Sequence, residues 1–196
     1  MDHPASQRAV ATCHGRPGHA AATLLLCAAA LLLALGPLGG CREDPSGTID
    51  WNRKPLRETK DKLGAIAFSI NLPDGLTLTR TGDALTWAPS KAEPGSPRVV
   101  LRVEDSALSR LAQAAERATA DGAPAIVERQ DKIPSGYLIV HHTEDQHAIS
   151  ATVYRKLKSG EILSCVASVS ESRASLVATG NWLANICQSL APNDRR

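Results

Sequence analysis

The 196-residue chain has no marked charge imbalance: 22 Lys and Arg stand against 20 Asp and Glu, a formal net charge of +2 at pH 7. No basic run is long enough to neutralise a series of phosphates, which argues against nucleic-acid binding. The motifs that announce a reaction are missing too. There is no Gly-x-Ser-x-Gly elbow, no Ser-x-x-Lys at a helix start, no His-Glu-x-x-His and no phosphate-cradling glycine loop. Without a Cys-x-x-Cys pair, neither a dithiol redox centre nor a zinc knuckle is encoded. Internal repeats and low-complexity tracts are absent, and glycine, proline and charged residues occur at ordinary levels, so most of the chain is globular. Single carboxylates such as Glu104 and Asp105 stand where a strand gives way to a helix, and capping accounts for them. The expectation is a non-enzyme with no cofactor.

A long hydrophobic run is also missing. The most apolar stretch, Ala20 to Leu35 ("AAATLLLCAAALLLAL"), has 16 residues without a charge and is rich in alanine; a bilayer span takes about 20 apolar residues. Arg8 and Arg16 precede it, and no acidic residue lies between Asp2 and Glu43. Basic then apolar is the order of a secretory signal.

Leu38-Gly39-Gly40-Cys41 follows and resembles a bacterial lipobox. The resemblance implies cleavage between Gly40 and Cys41, a diacylglycerol on the Cys41 thiol, and a fatty acyl group such as palmitate on the new amine. Small residues let the extended backbone enter a protease groove, and only a thiol forms the thioether. Two or three acyl chains, at ~0.8 kcal/mol per buried methylene, anchor a protein stably where one does not. The competing reading is an ordinary signal anchor with an incidental cysteine. The expected location is therefore the bacterial cell envelope, lipid-anchored and facing the periplasm or exterior. Arg42 in place of Asp resembles the outer-membrane default.

Residues 1–40 then form a cleaved signal peptide, 41–63 a polar tether, 64–191 a single domain and 192–196 a tail. The 22 residues Cys41–Lys62 could stretch over roughly 70 Å. Trp51 is the odd member, and either docks on the domain or rests at the lipid interface. Two cysteines remain in an oxidising compartment. Cys165 shares a strand face with Leu163, Ala167 and Val169, and Cys187 shares a helix face with Leu176, Gly180, Leu183 and Leu190. Both point into one strand–helix interface, and a Cys165–Cys187 disulfide is the expectation.

Alternation and turn residues predict strands at 65–73, 76–80, 84–89 and 98–104. A helix capped by Asp105 or Ser106 and ended by Gly122 follows, with Leu108, Leu111, Ala112 and Ala115 on one face. Strands at 125–130, 136–142, 147–157 and 161–170 precede a last helix capped by Ser172 and running to about Leu190. Tight turns make consecutive strands antiparallel, so the fold class is α+β: a mainly antiparallel sheet flanked by two helices. The motif "FSINLPDGL" (68–76), the helix after "VVLRVEDSALSRL", the strand "SGYLIVHH" and the C-terminal "ICQSL" resemble the PsbP/DcrB-like family of α/β/α sandwiches over residues 64–191. The resemblance implies a binding role and no shared catalytic set.

"HHTEDQH" (141–147) is the one cluster that could carry chemistry. His141 and His142 point to opposite faces, so His142 with His147 and Glu144 or Asp145 could ligate zinc or copper. A solvated hairpin tip explains the same residues, and no metal site is assigned. The leading expectation is a membrane-anchored envelope lipoprotein, binding a protein or a small hydrophobic partner. The alternatives are a metal-handling envelope protein using this hairpin and a divergent hydrolase, which would need polar side chains converging in a deep pocket.

Overall fold

The computed structural model describes residues 49–104, 108–120, 123–171 and 175–193. A 3₁₀ turn, Trp51–Arg53, leads into strands β1 (Leu56–Leu63), β2 (Ile66–Pro73), β3 (Leu76–Thr81), β4 (Ala84–Pro89) and β5 (Pro97–Glu104). Helix α1 (Leu111–Thr119) follows, then β6 (Ala125–Ile133), β7 (Gly136–Thr143), β8 (Ala148–Lys156) and β9 (Ile162–Ser170). Helix α2 (Leu176–Gln188) and the short β10 (Ala191–Pro192) complete the chain. The fold is α+β, with the strands in an antiparallel seven-stranded sheet, order β3-β4-β5-β9-β8-β7-β6, and a three-stranded sheet, order β1-β2-β10.

Period-two alternation gives the large sheet two apolar faces. Leu138 and Val140 of β7, Ile149, Ala151 and Val153 of β8, and Leu163, Cys165 and Ala167 of β9 join Leu183, Ala184 and Ile186 of α2 in the main core. Phe68, Ile70 and Leu72 of β2 enter the same core, and Phe68 meets Trp87 of β4 edge-on at 6.3 Å between ring centres. On the opposite face Ile139, Tyr154 and Ile162 receive Ala114 of α1, with Leu111, Ala115 and Ala118 beside it. The α1 face is thus Leu111, Ala114, Ala115 and Ala118, and Ala112 is exposed. The helix starts at Leu111 after Arg110, later than expected. The expected caps Asp105, Ser106 and Ser172, and the terminator Gly122, lie outside the described residues, as do Gly40 and Cys41.

The polar tether expected over 41–63 is corrected in its second half. Leu56–Leu63 is a strand paired along its length with β2, from Leu56 opposite Pro73 to Leu63 opposite Ile66. Of its alternating inward positions Thr59, Asp61 and Leu63 only the last is apolar, so alternation in hydrophobicity does not betray it. Asp61 is held by Arg80 of β3, whose Nη2 lies 2.6 and 2.7 Å from the two carboxylate oxygens while Nη1 donates to the Lys62 carbonyl. The guanidinium holds the Asp61 carboxyl below its usual range and ties β1 to the large sheet. At the other end, Pro192 belongs to β10 and Asn193 N–H donates to the Ala67 carbonyl, so the tail begins later than 192.

Antiparallel pairing sorts the turns into two poles. The Asp74–Gly75 turn, the 89–97 loop and the 143–148 turn lie at one. The turns at 63–66, 81–84, 133–136 and 156–162 lie at the other.

Candidate functional site

At the first pole the chain enters through a clamp. Trp51 is only 5% exposed. The Lys54 ammonium lies 4.1 Å from the Trp51 ring centre and donates to the Asp74 carbonyl at 3.1 Å. Gly75 has φ +95°, and a Cβ there would approach Lys54 Nζ to 3.1 Å and the indole to 3.6 Å. Glycine supplies both the left-handed turn and the room for the clamp. Arg57, 2.9 Å from Asp74, adds an exposed ion pair of small energetic weight. Of the two readings of Trp51, docking on the domain is the one the structure shows.

The same pole carries the 141–147 hairpin. His142 faces the α2 side, 3% exposed, with Nδ1 2.7 Å from the Thr143 carbonyl and Nε2 2.7 Å from Glu128 Oε1. Both partners are acceptors, so the ring satisfies both only as an imidazolium. The Thr143 carbonyl first, and Glu128 after it, hold the His142 pKa above the usual value despite burial. Glu128 reaches the ring because it is the extra residue of a β-bulge between Val127 and Arg129. His141 faces the α1 side with a buried, unpartnered Nδ1, and burial first and the neighbouring His142 second push its pKa down.

Both His142 nitrogens are thus engaged, by the Thr143 carbonyl and by Glu128, and Asp145 Oδ1 accepts from the Thr143 hydroxyl at 2.5 Å and the His147 amide at 3.0 Å. Among the described residues no group of three His, Cys, Asp or Glu side chains is placed to hold a metal. Sequence reasoning missed Glu128, which lies 14 residues from its partner in a bulge that leaves no mark in composition.

A cleft of about 520 Å³ lies on the small sheet, lined among others by Glu58, Lys60, Lys62, Phe68, Ser69 and Pro192. Lys60 pairs with Glu58 at 3.2 Å. The lining mixes both charge signs and runs from Glu58, opposite Asn71, to Lys62, opposite Ala67, so it extends from the middle of β1 and β2 to their end beside the 63–66 turn. Cys165 and Cys187 form the expected disulfide, with both side chains fully buried and Cα atoms 5.4 Å apart. Among the described residues no helix is long and apolar enough to cross a membrane. No family model and no curated protein matches the chain.

Proposed function

We propose that the protein is a lipid-anchored, non-catalytic binding protein of the bacterial cell envelope, built on a PsbP/DcrB-like α/β/α sandwich. The carrying observation is the lipobox-like Leu38-Gly39-Gly40-Cys41, ten residues before Trp51, the first aromatic side chain packed on the domain. The helices on opposite faces of the large sheet support the sandwich. The polar cleft on the small sheet supports a polypeptide partner over a small hydrophobic one, because Glu58, Lys60, Asp61 and Lys62 line it while its one aromatic residue, Phe68, is buried in the core. For the hydrolase alternative the same groups offer little, since Asp61 is held by Arg80 and Glu58 by Lys60.

Expression of wild type and Cys41→Ser in a bacterial host with radioactive palmitate tests the anchor. Wild type should incorporate label and stay with membranes through a carbonate wash, and the variant should do neither. A labelled, wash-resistant Cys41→Ser protein sinks the reading.

A further inference from the structure

The geometry points to the Trp51 clamp as an orientation device: it turns the Asp74–Gly75 pole of the domain toward the lipid headgroups and keeps the far-pole end of the polar cleft away from the membrane, open to a polypeptide. This rests on the lipid-anchor reading of Cys41.

Chain length carries the argument. Had residues 41–62 been free, the domain could stand roughly 70 Å off the bilayer in any attitude. The clamp fixes the chain at Trp51, ten residues from Cys41. Ten residues span at most about 33–36 Å when stretched, and about 16–19 Å root-mean-square as a coil. A compact domain of this size is about 38 Å across. The tether is thus shorter than the body it holds, and the clamped pole cannot turn away without drawing the chain out to its limit. The 89–97 loop and the 143–148 turn share the clamped pole. The cleft reaches from mid-strand, at Glu58 and Ser69, to Lys62 and Ala67 beside the 63–66 turn, so one end of it lies at the far pole.

Energy transfer from the domain to acceptor-labelled lipid measures the attitude. The processed chain, residues 41–196, holds both core clusters and the disulfide, so the Cys41 thiol is its one free cysteine. That thiol is coupled to a maleimide lipid in phosphatidylcholine vesicles. A donor dye is placed through p-azidophenylalanine at exposed Ala92, on the clamped pole, or at exposed Asp83, on the far pole. Strand β4 separates the two sites by about 20 Å, so transfer from position 92 should exceed that from 83. Twelve Gly/Ser residues inserted between Thr48 and Ile49 leave the clamp untouched and should abolish the difference. Equal transfer from both sites, or a difference that survives the insertion, overturns the proposal. Because the lipid is attached chemically, transfer reports the clamp alone and palmitate labelling of Cys41 reports the anchor alone.

Discussion

The Cys165–Cys187 link allows the sharpest stability prediction. Replacing both residues by alanine removes a cross-link between positions 22 apart in sequence. In the chain-entropy account, closing a loop of that length raises stability by about 3 kcal/mol through the unfolded ensemble. Both sulfurs are fully buried between β9 and α2, and deleting them adds a transfer cost on the order of 1 kcal/mol. The sum of about 4 kcal/mol, at roughly 2–4 °C per kcal/mol for a domain of this size, predicts a melting point lowered by about 8–16 °C. Urea melts without reductant, followed by circular dichroism, give the free energy directly, and wild type in dithiothreitol isolates the cross-link from the lost sulfurs. Reduced wild type should recover most of the loss seen in the double variant. A double variant within about 1 kcal/mol of oxidised wild type refutes the reasoning, because it means that the 165–187 segment is held as tightly in the unfolded chain without the bond.

Gly136→Ala should be among the most damaging small substitutions: a Cβ would stand 1.7 Å from the Tyr154 carbonyl oxygen, so β7 and β8 must part, and a fall in stability above about 3 kcal/mol in urea melts is expected. His142 has its pKa raised above the usual 6.5, so its contribution is complete below pH 6.5 and is lost as pH rises through the folded value. His141, with its pKa lowered, runs the other way: its contribution is complete above pH 6.5 and falls away as pH drops through the folded value. Glu128→Gln removes the carboxylate from His142 and should flatten the loss of stability above pH 6.5, read as the urea midpoint against pH; an unchanged slope would detach Glu128 from the effect. Lys54→Ala should raise the fluorescence quenching of Trp51 by acrylamide and cost about 0.5–2 kcal/mol, the range for a lysine over an indole.

Where hydrophobic period and turn chemistry agree, the elements were legible. The strands β2, β4, β5, β7, β8 and β9 each place apolar residues on the core face, β2 and β4 end at proline, and the strand–helix pairing of Cys165 with Cys187 follows from two periodicities alone. Strand β1 escaped because it is an edge strand whose inward Asp61 is neutralised by Arg80 from another strand. That is a tertiary solution, so nothing within "LRETKDKL" encodes it. The first helix was expected too early for a related reason. Leu108 does pack against the second core cluster, and a leucine at that spacing reads as helix although the helix starts at Leu111.

The site divides along the same line. A lipobox-like sequence is read by processing enzymes as an extended local peptide, so all of its information sits in Leu38-Gly39-Gly40-Cys41 and survives in the bare sequence. The cleft is assembled by β1, β2 and β10, whose contributions come from residues 58–69 and 191–193. Its lining therefore depends on a strand that alternation cannot find and on a two-residue strand too short to have a period. The hairpin shows the opposite error. "HHTEDQH" concentrates ligand-type side chains in seven residues, yet strand alternation sends its first two histidines to opposite faces, and a bulged glutamate from the neighbouring strand takes the one that could have bound a metal. Density of chemically able residues along a chain carries no geometry, whereas the ten-residue interval from Cys41 to Trp51 carries a hard limit on distance. That limit bounds how far the Trp51 pole can stand from Cys41, and the hairpin residues set no comparable bound.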